Sequence, residues 1–163
     1  MNTRAIISRS LGPDDETGVA ALFARSRDHP EMAFFDPFPL TDETARRLAC
    51  EPRLDRYYVA EVSSELIGLS MLRGWDEGYE IPSFGVMVDP AWHGRGVGSA
   101  LTDFTIASAA ELGCDAVRLS VYGRNERASR MYVQRGFTTA SREPVTRAWG
   151  SDERIVMVKP LRG

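Results

Sequence analysis

The stretch from Val86 to Leu101 constrains the fold more than any other part of the chain. Val86, Met87 and Val88 read as the end of an apolar strand that stops at Asp89-Pro90. Gly94, Gly96 and Gly98 then alternate into a helix of small and apolar residues. Glycines without a Cβ let the main chain lie close against a ligand, and the helix start adds unpaired N–H groups and a positive dipole end. His93, Gly94, Arg95, Gly96, Val97, Gly98 and Ser99 thus read as a main-chain cradle for a pyrophosphate. Two other phosphate loops fit poorly. A P-loop needs Lys before the Ser or Thr, and Gly98-Ser99 lacks it; a dinucleotide fingerprint needs glycine where Ser99 stands.

A second constellation runs from Asn125 to Phe137. Asn125 is suited to cap a helix. Ala128 and Tyr132 are one turn apart on that helix, so the small alanine leaves room beside the tyrosine for a thin ligand arm.

Around these segments the chain changes pattern. A helix is expected from Pro13 to about Arg27, with Pro and two acids at its first turn. Residues 29–39 place Phe34, Phe35 and Phe38 among three prolines, which predicts an ordered loop over a pocket. Thr41 caps a short helix to about Ala49. Strands are expected at 57–62 and 66–72, joined by Ser63-Ser64-Glu65, and at 81–88. Beyond them come a helix at 96–112 that buries Val97, Leu101, Phe104 and Leu112, a strand at 116–121, a helix at 126–135, and strands at 137–141 and 154–159. An antiparallel meander passing into strand–helix–strand units implies one α+β domain, 1–163, with a mixed, mostly antiparallel sheet of six to seven strands and about four helices.

Composition narrows the partners. A net charge of −3 and a pI near 5.5 supply no positive field to gather nucleic acid or anionic lipid. No run approaches the roughly 20 apolar residues of a membrane span, so neither membrane nor export is expected and the cytoplasm is. Cys50 and Cys114, without CxxC spacing, read as core thiols in a reducing compartment, and with two histidines no metal is expected.

Val88-Asp89-Pro90 followed by His93-x-x-Gly96-x-Gly98 resembles the acetyl-CoA loop of the GNAT superfamily of N-acetyltransferases. Asn125-x-x-Ala128-x-x-x-Tyr132-x-x-x-Gly136-Phe137 resembles that family's second motif at all five of its positions. The loop's first position, usually Gln or Arg in the family, is His93 here. The resemblance implies a GNAT-like acyl-CoA fold with acetyl-CoA as co-substrate and no metal. It places that co-substrate along Val86, Met87, Val88, the loop from His93 to Ser99, Asn125 and Ala128. It further implies that the strand at 86–88 splays from its neighbour at 116–121, that the Val88 N–H meets the acetyl oxygen, and that the Tyr132 hydroxyl lies near the thioester sulfur as the acid. The acceptor implied is a primary amine on a small molecule or a protein, and related proteins are often homodimers.

Family members often carry an acid near positions 82 or 83, where this chain has Pro82 and Ser83. Residues 80, 82 and 84 would share a face of a regular strand, so Glu80 is the candidate base. Asp76, Glu77 and Tyr79, with Phe34, Phe35 and Phe38, are expected to line an acceptor side favouring cations, with residues 145–152 as another rim loop. A non-catalytic acyl-CoA-binding module and an O-acyltransferase share these features and stay open on sequence grounds.

Overall fold

The computed structural model describes residues 4–162. In chain order the elements are β1 (Ile7–Ser10), α1 (Glu16–Ser26), α2 (Asp42–Cys50), β2 (Arg56–Val62), β3 (Glu65–Arg73), β4 (Ser83–Val88), α3 (Val97–Glu111), β5 (Ala116–Tyr122), α4 (Glu126–Gln134), β6 (Thr138–Arg147) and β7 (Gly150–Pro160). They form one seven-stranded sheet in the order β1-β2-β3-β4-β5-β7-β6, parallel between β4 and β5 and antiparallel elsewhere. This is the mixed α+β architecture with four α-helices that the sequence predicts.

The strand period sorts the core into two layers. Tyr57, Val59, Leu69, Met71 and Met87 point to one face and pack with Val19, Leu22 and Phe23 of α1 and Leu48 of α2. Tyr58, Leu72, Phe84, Val117, Leu119 and Val121 point to the other, against α3 and α4. The β2–β3 hairpin closes through Ser63 and Ser64, at φ +50° and +69°, the positive pair that a two-residue turn with matching twist requires. Ser70 of β3 meets Thr105 of α3 at 2.7 Å in the core, and Thr105 donates onward to the Leu101 carbonyl at 2.6 Å, so neither buried hydroxyl lacks a partner.

Several expected boundaries shift. Leu112 is 45% exposed, and Thr102 and Thr105 complete the inner face of α3. Their hydroxyls bond back to the Gly98 and Leu101 carbonyls, which makes threonine acceptable inside a helix core. Cys50 is exposed at the end of α2 and Cys114 is half-buried, so the core-thiol reading fails for Cys50. The third strand begins at Ser83 instead of residue 81, because Ile81 is exposed and Pro82 has no N–H to give a ladder. The last two strands are longer than their apolar runs. Residues 145–152 are the paired tip of the β6–β7 hairpin, from Val145↔Asp152 to Arg147↔Gly150. Pro144 is tolerated within β6 because that strand is a sheet edge. Among the described residues no helix is long and apolar enough to cross a membrane.

Candidate active site

Parallel pairing between β4 and β5 is recorded at a single register, Ser83↔Arg118, where the Arg118 N–H also donates to the Pro82 carbonyl at 3.0 Å. Beyond it the strands part, and residues 83–88 and 120–122 line a cavity of about 970 Å³. The other edge of β4 stays paired with β3 as far as Gly68↔Val88, and the Asp89 N–H donates to the Ile67 carbonyl at 2.8 Å. Successive N–H groups along a strand alternate sides. With Asp89 turned toward β3, the N–H and C=O of Val88 and of Val86 therefore face the gap. Asp89 holds the strand end there. Its buried carboxylate accepts from Arg25 Nε of α1 at 2.8 Å and from the Ala91 N–H at 2.9 Å.

The glycine loop follows β4 and lines one end of this gap. Gly94 and Gly96 have φ of +75° and +84°, a conformation costly for any residue with a Cβ. Gly96 is the N-cap of α3 and provides no side-chain cap, so the first N–H groups of a 15-residue helix open toward the cavity without a capping side chain. A Cβ placed on Gly96 meets no atom within 4 Å. Gly94, Gly96, Val97, Gly98 and Ser99 line the cavity, while Arg95 lies outside its wall with its guanidinium 5.0 Å over the Trp92 ring. His93 folds inward. Its Nε2 lies 2.9 Å from the Val88 carbonyl and its Nδ1 2.9 Å from Glu31 Oε2, so the side chain braces β4 against the 29–39 loop and does not reach for a phosphate.

On α4, Asn125 accepts the Ala128 N–H through Oδ1 at 3.4 Å, leaving its amide hydrogens as donors. Ala128, Met131 and Tyr132 form this wall of the cavity. Tyr132 is 7% exposed and packs edge-on against Phe84 and Phe137, at centroid distances of 6.0 and 5.7 Å. Burial pushes its phenol well above the ordinary tyrosine range, so it is a protonated donor at neutral pH.

The opposite end is built by the 29–39 loop, backed by the β6–β7 tip. Glu31, Phe34, Phe35 and Asp36 line it with Glu77 and Tyr79. The Tyr122 hydroxyl donates to Asp36 Oδ2 at 2.5 Å and accepts from Arg147 Nε at 3.0 Å. Trp149 stands edge-on to both Phe34 and Tyr122, at 5.3 and 5.2 Å, so the hairpin tip backs two residues of the cavity wall, while residues 145–152 do not themselves line the cavity.

Two expected acceptor-side residues and the candidate base stand elsewhere. Asp76 accepts the Leu54 and Asp55 N–H groups at 2.7 and 3.2 Å and braces a turn, while Phe38 is buried in the core against Phe23 and Tyr57. Glu80 is exposed ahead of β4 and outside the cavity wall. The strand parity that would aim it inward does not extend to residue 80, because the strand begins at Ser83. Sequence reasoning passed over Asp36 and Tyr122. The one signal for Asp36 was a lone acid within Phe34-Phe35-Asp36-Pro37-Phe38.

The family model described as the acetyltransferase (GNAT) family matches residues 23–137, which take in the splayed strand, the glycine loop and the Asn/Tyr helix. The chain belongs to the GNAT family of acetyltransferases. Among relatives of this GNAT chain, the mycothiol acetyltransferase of Thermobispora bispora is 33% identical over 134 residues, covering 78% of the chain and 44% of that protein. The chain thus spans less than half the length of that relative. A GCN5-related N-acetyltransferase from Kribbella flavida superposes with a TM-score of 0.78 at 25% identity, covering 96% of this chain and 98% of that one. A putative acetyltransferase from Salmonella typhimurium, solved with its cofactor acetyl-CoA, has the same fold at a TM-score of 0.78 and 20% identity, with 97% and 95% covered.

Proposed function

We propose that this GNAT protein transfers an acetyl group from acetyl-CoA to a primary amine by direct attack of the amine on the thioester. The observation that carries the reading is the opening of β4 from β5 with Tyr132 on its wall. The uncapped start of α3 and the open space at Gly96 fit a pyrophosphate, and the inward N–H groups of Val86 and Val88 with the Val86 C=O fit an arm that pairs as an added strand would, the Val88 C=O being held by His93. Acetyl-CoA supplies an activated acetyl thioester.

The protein's part is to hold, orient and donate. The Val88 N–H, pointing into the gap, is a preorganised donor for an oxygen that gains charge. Asn125, whose Oδ1 takes the Ala128 N–H, keeps its amide hydrogens as donors on the cavity wall, and the Ala128 methyl adds little bulk there. An ordinary phenol at about 10 already lies above a thiol at about 8.5, and burial raises Tyr132 further. Complete proton donation to sulfur is therefore uphill, and the role that fits Tyr132 is a short hydrogen bond to sulfur as its charge grows.

Glu80→Gln is expected to leave the pH dependence of turnover unchanged, since Glu80 is exposed and outside the cavity wall. Loss of an acid limb of the pH–rate profile in that variant would return Glu80 to the mechanism. The function itself is tested by following free-thiol release from acetyl-CoA with panels of primary amines and alcohols. Release that depends on amines is expected. Binding without release would indicate a binding module, and release with alcohols alone an O-acyltransferase.

A further inference from the structure

Asp36 is a cavity-lining carboxylate with one oxygen fixed by another cavity-lining side chain. Its Oδ2 receives the Tyr122 hydroxyl at 2.5 Å, and Tyr122 is itself held by Arg147 Nε at 3.0 Å and by the edge of Trp149. Among the described residues no hydrogen bond reaches its Oδ1. The loop that carries it is anchored on both sides: Phe34 packs on Trp149, Phe35 on Phe38, and Arg73 Nη1 donates to the Pro37 carbonyl at 3.2 Å. A carboxylate held this way needs little reordering to receive a cation. The other two acids of this end are held differently. Glu31 is tied through His93 to the Val88 end of β4, away from Tyr122, and Glu77 sits on a separate short turn with no such tie.

We infer that Asp36 Oδ1 receives the ammonium of the acceptor, selecting primary amines on a short apolar or aromatic arm that lies along Phe34, Phe35 and Tyr79. The inference rests on the proposed acetyl transfer and names the acceptor class for that same cavity. Asp36 is exposed at the cavity mouth, so its contribution appears only where the bound arm excludes water from the ion pair. No proton transfer to Asp36 is involved. It binds the charged acceptor and positions its nitrogen, and the proton leaves to water before attack.

The test compares two acceptors of the same shape in the full chain, 2-phenylethylamine, which is a cation at neutral pH, and O-benzylhydroxylamine, which is neutral there. For Asp36→Asn, kcat/KM with the cation is expected to fall on the order of 10- to 100-fold, chiefly through KM, and with the neutral alkoxyamine by no more than about threefold. Acetyl-CoA affinity, measured by calorimetry, should not move. Tyr122→Phe frees the carboxylate without removing it and is expected to produce a smaller loss confined to the same cation. Equal losses with both acceptors would overturn the inference by showing that Asp36 only braces the loop, and unchanged kcat/KM with the cation would overturn it outright. A parent enzyme that acetylates other amines and neither arylalkyl probe would overturn the acceptor class. If the parent acetylates no amine, it is the proposed function that fails.

Discussion

Tyr132→Phe is expected to lower kcat by about 100-fold, the usual scale for one preorganised hydrogen-bond donor to developing charge, with acetyl-CoA affinity close to that of the parent. The ring stays between Phe84 and Phe137, so packing is conserved and only the hydroxyl is lost. That hydroxyl matters most when sulfur carries charge, which assigns the loss to kcat. Burial raises the phenol, so it keeps its proton as pH rises through the ordinary tyrosine value near 10. Deprotonation of Tyr132 therefore gives no fall in rate between pH 7 and about 10. Single-turnover kinetics across that range would check both points, and undiminished turnover in the phenylalanine variant would leave Tyr132 as packing.

Tyr132 was legible because spacing alone sets it one turn from Ala128 on a capped helix, and local spacing survives folding. The glycine loop was legible for the same reason: the positive φ at Gly94 and Gly96 is a local demand that only glycine meets cheaply. Asp36 and Tyr122 lie 86 positions apart and meet only because the sheet carries the end of β5 to the 29–39 loop, a juxtaposition no local pattern encodes. Glu80 was misplaced by extending strand parity across Pro82, where the ladder cannot continue. Arg95 and His93 occupy expected loop positions, yet their side chains turn to Trp92 and to Glu31 and Val88. Their sequence places the backbone and leaves the rotamers to neighbours far along the chain.

Gly96→Val is expected to weaken acetyl-CoA binding on the order of 100-fold or more while costing the free protein only about 1–2 kcal/mol. The stability cost comes from holding a side chain at φ +84°, since a Cβ there meets nothing within 4 Å. The same open space is where a phosphate would approach the first N–H groups of α3, and losing two charge-assisted hydrogen bonds accounts for the affinity change. Gly98→Ala is the useful contrast. Gly98 lies inside α3, and its added methyl would touch Val88 Cγ2 at an ordinary 3.6 Å, so folding should be preserved. Calorimetric titration with acetyl-CoA, paired with thermal melts, separates the two costs. Equal affinity in parent and Gly96→Val would place the phosphates elsewhere.

The most direct measurement of the central claim quantifies, in one reaction with acetyl-CoA and a primary amine, both the thiol released and the acetylated amine by mass spectrometry. Acetyl transfer through the β4–β5 gap predicts equal amounts of the two, with the acetyl group on nitrogen, and a parallel fall of both in Tyr132→Phe. Thiol released without acetylated amine, or acetyl-CoA bound with neither product formed, would contradict it.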